Sequence, residues 1–352
     1  MITKTLLPLL CLSLASQLSI SLAQETPATQ KYVLLISVDG MRPDAIEVLG
    51  EEKAPNLHRI KKEGASTNNA RTDATYTVTL PNHTAMITGR GVVGDAGHNW
   101  VSNGDPKLGQ NLHRNKKSYL ASMFGVAHDN ELSTALYASK SKFSLYDDSY
   151  SERWGAPDTT GEDNGKDKID TYLRNDVTTE LVEALTEQLR TNPAPLTMVH
   201  LRDPDTSGHA NGWILEGDTP YLQAIQQVDT LIGLIFDAIE ENDATRGNTW
   251  VIVTADHGGG GNGQEINSHT KSKLSDNYTI PFFVWGPGVK SGGNLYEMNK
   301  LTRVDPGKRN PAYEEAGQPV RNGDAGNLAL SLLGLPAIPD SMINAKQDLS
   351  VK

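Results

Sequence analysis

Five short apolar runs recur along the chain, at 32–38, 134–138, 196–201, 250–254 and 280–285, with polar turns after them. Their Val, Ile and Leu residues run on without in–out alternation. That pattern suits strands buried on both faces of a parallel sheet. Helical stretches fall between and after them, at 54–63 with Gly64 as its stop, 118–127, 176–190, 220–239 and 327–333. Alternating strands and helices predict an α/β fold: a three-layer sandwich with helices on both faces of a mostly parallel central sheet. At 352 residues the chain is long for one domain but within reach of a single large α/β domain. The segments 103–117 and 146–170, rich in Asp, Asn, Gly and Lys, read as loops or a small cap over a site. The stretch 292–323 reads as surface, and the tail carries Pro336 and Pro339.

The N-terminus reads differently. Lys4 precedes an uncharged run from Leu6 to Ala23 that ends in Ser21-Leu22-Ala23. A basic start, an apolar stretch and small residues at its end are the marks of a secretory signal peptide. The expected organisation is a leader over 1–23 and one catalytic domain over 24–352, exported to the periplasm or secreted. A membrane anchor is the alternative. Ser13, Ser16, Gln17, Ser19 and Ser21 interrupt the run and weaken a stable span, so no transmembrane span is expected in the mature chain. Leu10 before Cys11 is too large for a lipid-attachment site. Cys11 is the only cysteine, so the processed protein would have no disulfide, thiolate metal site or cysteine nucleophile.

The net charge is −11. An acidic chain does not recruit nucleic acid through phosphate contacts. It can still take a small anionic substrate if bound metal ions reverse the local field.

In open parallel sheets, ligands bind beyond the carboxyl ends of the strands. Four of the five runs deliver chemistry there: Asp39, Lys140, Asp205, and Asp256 with His257. His209 lies four residues after Asp205, and His269 follows a loop after Asp256-His257. The run Gly258 to Gly261 lets backbone approach a ligand without side-chain obstruction. Taken singly, each residue reads as a turn, a cap or a solvated side chain. Jointly, three Asp and three His can hold two divalent ions, and mixed imidazole–carboxylate ligation suits Zn²⁺, with Mn²⁺ also possible.

A second motif stands at Thr79-Leu80-Pro81-Asn82-His83. Pro81 fits the first turn of a helix, which puts Thr79 at or just before the helix N-terminus, where an anion is favoured. A hydroxyl there, placed on a metal, can ionise and attack phosphorus. The same position also suits an ordinary N-cap threonine.

These residues resemble, in order, the alkaline phosphatase superfamily, and within it the type I phosphodiesterase/nucleotide pyrophosphatase group. Ser37-Val38-Asp39-Gly40-Met41-Arg42-Pro43 is similar to that group's first metal motif, and Thr79 to His83 to its Thr-x-Pro-Asn-His nucleophile motif. His98-Asn99-Trp100-Val101-Ser102-Asn103 resembles its His-Gly-Ile-x-x-Asn segment, whose last Asn contacts the phosphoryl group. Asp205, His209, Asp256, His257 and His269 match the remaining ligands, and Gly286-Pro287-Gly288-Val289 is also typical. The likeness spans 33–335. Two features depart from the pattern: Asn99 stands where Gly is usual, and the loop 89–98 is longer, which leaves Asn99 as the alternative to Asn103.

The resemblance implies an alkaline-phosphatase-like fold and two metal sites. One would use Asp205, His209 and His269. The other would use Asp39, Asp256 and His257, with Thr79 bridging toward it. It further implies hydrolysis of phosphate esters by two displacements through a phospho-threonine. Lys140-Ser141-Lys142 is similar to a Lys-x-Arg pair of the monoesterase branch. If the 134–138 strand continued, both lysines would point the same way. A diesterase is therefore expected, with an alkaline phosphomonoesterase using Lys140 and Lys142 as the alternative. Sulfatases of this fold need Cys or Ser followed by x-Pro-x-Arg, where this chain has Thr79 and His83. A lipid phosphotransferase would carry several membrane spans. A non-catalytic binding protein would be told apart by its metal content.

Overall fold

The computed structural model describes residues 1–3, 29–261 and 263–352. The leader read at 1–23 therefore lies outside the described residues beyond its first three. Among the described residues, no helix is long and apolar enough to cross a membrane.

The strands are β1 (Tyr32–Val38), β2 (Ala65–Arg71), β3 (Thr134–Ala138), β4 (Thr171–Arg174), β5 (Leu196–Leu201), β6 (Thr249–Thr254), β7 (Thr279–Trp285) and β8 (Gly293–Asn294). They form one sheet in the order β4-β3-β5-β1-β6-β7-β2-β8. The four runs that end in chemistry are contiguous neighbours, β3-β5-β1-β6, and all are parallel. Every residue of these four strands is buried, which is why their sequences are unbroken apolar runs.

The fifth run, β7, is the exception to parallel order. It runs antiparallel to both β6 and β2, so its start, not its end, lies beside the functional edge. β2 (ASTNNAR) was not legible as a strand because five of its seven residues are polar or charged without clean alternation. Pairing with β7 makes it one.

Among the described residues, eight helices of seven residues or more accompany the sheet. They are α1 (Pro43–Lys53), α2 (Pro55–Glu63), α3 (Thr79–Thr88), α4 (Met123–Asp129), α5 (Thr178–Thr191), α6 (Asp203–Asn211), α7 (Pro220–Glu241) and α8 (Asp324–Leu333). Contacts divide most of them into two layers: α1, α2, α5 and α7 pack on one another and on β3 and β7, while α3, α4 and α8 pack together and on β1, β3 and β6. This is the expected three-layer sandwich.

Proline opens α1, α2 and α7, where its missing N–H has no helical partner to lose. Ser122 caps α4 by accepting the Gly125 N–H at 3.1 Å, so that helix begins later than the 118–127 pattern predicts. A larger difference concerns 203–211, which is absent from the helices expected from sequence. It is helix α6, with Pro204 in its first turn and Gly212 (φ 85°) ending it. Gly208 disguises it, since glycine inside a helix costs about 1 kcal/mol relative to alanine. Two of the presumed loops also hold short helices, Leu112–Lys116 and Ser144–Ser149.

Candidate active site

Strand register sets the site. Ser37 on β1 pairs with His200 on β5 and with Thr254 on β6, so Asp39 and Asp256 leave the sheet side by side. Gly40 then turns with φ 71°, and its backbone lies so close to α6 that a Cβ would sit 3.0 Å from Asp205 Cα. Its N–H donates to Asp256 Oδ1 at 3.1 Å. On α6, Asp205 and His209 are one turn apart and face the same way. Asp39, Asp205, Asp256, His257 and His269 are buried, whereas the His209 side chain is 48% exposed at the lip.

His257 Nε2 lies 3.3 Å from both Asp39 Oδ1 and Asp256 Oδ2, and 4.0 Å from Asp205 Oδ1. Asp205 Oδ1 is 3.3 Å from His209 Nε2 and 3.7 Å from His269 Nε2. Two trios could each hold one ion, Asp39–Asp256–His257 and Asp205–His257–His269. The six residues named from sequence thus converge, and His257 stands within reach of both groups.

The donor chemistry fits divalent metals. Each histidine bonds a backbone carbonyl through Nδ1: His209 to Asn267 at 3.0 Å, His257 to Gly258 at 2.7 Å and His269 to Thr77 at 2.5 Å. Only an Nδ1–H can donate to a carbonyl, so the Nε2 lone pair of each ring faces the carboxylates, as a metal ligand requires. The carboxylates are divided in the same way. Asp39 Oδ2 accepts from His200 at 2.8 Å and Lys140 at 2.6 Å, Asp205 Oδ2 from Lys140 at 2.7 Å, and Asp256 Oδ1 from the His257 N–H at 2.9 Å. The opposite oxygens, Asp39 Oδ1, Asp205 Oδ1 and Asp256 Oδ2, are buried with no hydrogen-bond partner, as is His257 Nε2. Orphaned buried acceptors are costly, and a cation is what they lack.

Ionisation follows from this crowding of buried groups. Burial works to raise the Asp39 carboxyl, but Lys140, His200 and His257 outweigh it and hold it well below the usual range. Asp256 goes the other way: burial, then the charges of Asp39 and Asp205, push it well above the ordinary carboxylate value. Burial and the neighbouring His257 ring lower His269 to about 3, so its imidazole stays neutral, the form that binds metal.

Thr79 is the first residue of α3. The N-cap position belongs to Val78, whose side chain caps nothing, so the capping explanation for Thr79 fails. The motif is held from several sides. His83, one turn on, bonds the Thr79 carbonyl through Nδ1 at 2.8 Å and accepts from Ser37 Oγ through Nε2 at 2.8 Å. Asn82 Oδ1 accepts the Asp73 N–H at 2.8 Å and the Asn322 side-chain amide at 3.1 Å, and that amide also reaches the Asp256 carbonyl at 3.1 Å. The Thr77 hydroxyl donates to the His269 carbonyl at 2.5 Å. The nucleophile turn is therefore tied to both ligand loops.

The segment 98–103 joins the same edge. His98 sits under α3, with Nε2 3.1 Å from the Pro81 carbonyl and Nδ1 accepting from Trp100 N at 3.1 Å. Asn103 then accepts the Leu80 N–H through its side-chain carbonyl at 2.9 Å. Asn99 turns the other way. It has a left-handed φ of 61°, and its carbonyl accepts from Asn115. Asparagine tolerates that region better than most residues, which explains its presence where a glycine is usual.

β3 stops at Ala138 and Ser141–Phe143 forms a 3₁₀ turn, so strand alternation does not place the two lysines. Lys140 reaches across to Asp39 and Asp205, and those carboxylates outweigh its burial and raise its ammonium. Lys142 is half-buried and forms no ion pair with the described residues. Burial, then the charge of Lys140, lowers it.

Residues that sequence reading passed over include His200, Asn322 and Trp213, while His83 was named only as the end of the nucleophile motif. His200 had a signal, being the one ionisable residue within the apolar run 196–201.

A family model described as type I phosphodiesterase/nucleotide pyrophosphatase matches residues 33–331. The chain belongs to this family. Among curated relatives, human ectonucleotide pyrophosphatase/phosphodiesterase family member 1 is 26% identical over 240 residues, 66% of this chain but only 24% of that protein. The mouse protein of the same name is 25% identical over 246 residues, again 24% of its length. The chain thus spans about a quarter of the curated relatives it matches. Among solved structures, murine ectonucleotide pyrophosphatase/phosphodiesterase 5 aligns with a TM-score of 0.59 at 17% identity, over 91% of this chain and 100% of that one. The same murine protein, as an inactive threonine-to-alanine form in complex with AMP, aligns with a TM-score of 0.58 at 16% identity, over the same shares. A 2-O GAG sulfatase reaches 0.57 at 12% identity, over 92% of this chain and 75% of that one. At such identities the solved structures speak for the alkaline phosphatase superfamily fold, which family members share with sulfatases.

Proposed function

We propose that this family member hydrolyses phosphodiesters of small molecules, with two divalent metal ions, zinc before others, and Thr79 as covalent nucleophile. The observation that carries the reading is the division of donor atoms. Three imidazole Nε2 atoms and three carboxylate oxygens converge unpartnered or loosely paired, while the opposite atom of each group is fixed by the protein. Asp205, His209 and His269 would hold one ion, and Asp39, Asp256 and His257 the other, with Thr79 bridging toward it. When bound, the metals supply Lewis-acid stabilisation of the attacking, leaving and non-bridging oxygens.

The chain's own residues do the rest. Thr79 Oγ gives up its proton and attacks phosphorus, the alkoxide leaves with its bonding electron pair and takes up a proton to become the free alcohol, and the phosphoryl group stays on Thr79. Water then attacks the same phosphorus, losing a proton, and Thr79 Oγ leaves with the bonding pair and regains its own. The α3 N-terminus favours the anion. Asn103 commits its carbonyl to Leu80 N, which leaves its NH₂ as the donor for a phosphoryl oxygen. His83 fixes the Thr79 carbonyl, and Ser37 fixes His83.

Diester preference is supported by Lys140. A monoester dianion needs additional cations, and Lys140 is already spent on Asp39 and Asp205. Lys142 forms no ion pair with the described residues, and it supports a phosphomonoesterase as the second reading. Thr79 and His83 stand against a sulfatase, which needs Cys or Ser in one place and Arg in the other. The murine neighbour in complex with AMP makes nucleotide esters a reasonable class to assay. Export follows if the 1–23 leader is cleaved.

The test is the ratio of rates on bis-p-nitrophenyl phosphate and p-nitrophenyl phosphate with zinc supplied. A faster diester rate is expected. A strongly faster monoester rate would move the assignment to the phosphomonoesterase, and no hydrolysis of either by protein containing two zinc ions would favour a binding role.

A further inference from the structure

Trp213 follows α6 directly after Gly212 and is buried. Its indole meets every segment that carries a candidate Asp or His ligand. Nε1–H donates to the carbonyl of Gly40, the residue after Asp39, at 3.0 Å. Gly208 lies on α6 between Asp205 and His209, and a Cβ there would sit 2.3 Å from indole Cε2. Gly259 lies two residues after His257, and a Cβ there would sit 2.1 Å from the same atom. Neither glycine has a left-handed φ, so the indole, and no backbone requirement, excludes a side chain at both. The rings of His209 and His269 meet the indole edge-on at 5.2 and 6.0 Å. The Trp213 N–H donates to the Ile266 carbonyl at 3.0 Å, which holds the turn leading to His269.

We propose that Trp213 is a positioning residue for the metal site, its indole setting the spacing of the Asp39, Asp205–His209, Asp256–His257 and His269 segments; this rests on the metal-ligand reading above. The outer trio Asp205–His209–His269 depends on it more than the inner one. Asp39, Asp256 and His257 leave adjacent paired strands, which hold them independently. His209 is half exposed and is held by one carbonyl and the indole edge, and His269 comes at the end of a loop. Aromatic contacts of this kind position a ring more than they bind it, and supports behind metal ligands change metal affinity about 10- to 100-fold when lost.

The experiment is a zinc titration against a chromophoric chelator, run on the wild type, Trp213→Phe, Gly259→Ala and the double variant Gly259→Ala/Trp213→Leu, with thermal melts of each. The wild type should bind two zinc ions. Trp213→Phe should keep one at unchanged affinity and hold the second about 10- to 100-fold more weakly, with turnover recovering at high zinc. Gly259→Ala should lose the second ion, and the double variant should regain part of it because the smaller side chain makes room for the methyl group. Wild-type affinity for both ions in Trp213→Phe, or in Gly259→Ala, overturns the proposal. If Trp213→Phe does not fold, the Gly259→Ala pair decides alone, and a double variant no better than the single one counts against it. Fewer than two zinc ions on the wild type would overturn the metal-ligand reading itself, whereas two on the wild type with unaltered variants would overturn only the role of Trp213.

Discussion

Asn103 accepts the backbone N–H of Leu80 through its side-chain carbonyl at 2.9 Å, beside the residue proposed as nucleophile. Asn99, four residues earlier, instead occupies a left-handed turn and bonds away from Thr79. Asn103→Ala should therefore lower turnover on a diester by on the order of 10²–10³, the usual cost of losing one donor to a developing oxyanion. Asn99→Gly should leave turnover near normal, since glycine adopts that backbone without strain. Steady-state kinetics on both variants check this. A normal Asn103→Ala enzyme beside a crippled Asn99→Gly enzyme would reverse the assignment.

The lysines give a second prediction. Lys142→Ala removes a half-buried cation that forms no ion pair with the described residues. It should raise KM for monoesters more than for diesters, because the dianion has more to lose. Lys140→Ala removes a cation bonded to Asp39 and Asp205, so its effect should fall on both substrates alike. Parallel kinetics on the two substrates decide. A Lys140→Ala enzyme that loses only monoester activity would show that Lys140 binds substrate.

Removing metal should destabilise the fold. Asp39, Asp205 and Asp256 are buried together, each with an oxygen that lacks a partner, and burial alone is unfavourable to such charge. Anything that binds the native state only stabilises it, by about 2.7 kcal/mol at a hundred times its dissociation constant. A chelator should lower Tm by several degrees and zinc should restore it. Equal melting curves in chelator and in zinc would contradict the ligand assignment.

Much of this was legible in the sequence, for physical reasons. Strands β1, β3, β5 and β6 announce themselves because burial on both faces demands unbroken apolar residues, and the parallel arrangement puts their polar successors at one edge. Asp39, Asp256 and His257 could be named for that reason. β2 was not legible, because its polar side chains bond to distant partners, Asn68 to Glu47, Asn69 to Asp305 and Arg71 to Arg309, and its strand character comes from β7. Helix α6 was hidden by Gly208, which is there for packing against Trp213 and says nothing about helix propensity. Trp213 itself gave no signal, since nothing local reveals that three distant segments converge on one side chain.

Lys140 shows a subtler gap. Its position after β3 marked it as a site residue, and strand alternation suggested a partner in Lys142. The chain instead turns at Ser141–Phe143. Lys140 leans across β5 to carboxylates on two other elements, a long-range contact that spacing along the chain cannot reveal.

Thr79 is the proposed covalent catalyst. Thr79 begins α3, is not its cap, and is held by His83, Asn82 and Thr77 among the ligand loops. Zinc-loaded enzyme can be mixed with bis-p-nitrophenyl phosphate, quenched in acid within the first turnovers and examined by peptide mass spectrometry, with Thr79→Ala run alongside. A nitrophenyl-phosphoryl adduct on Thr79 is predicted, absent from Thr79→Ala, which should bind two zinc ions but lose several orders of magnitude in turnover. A Thr79→Ala enzyme that keeps more than about a tenth of wild-type turnover, with no adduct on wild-type Thr79, would contradict the account.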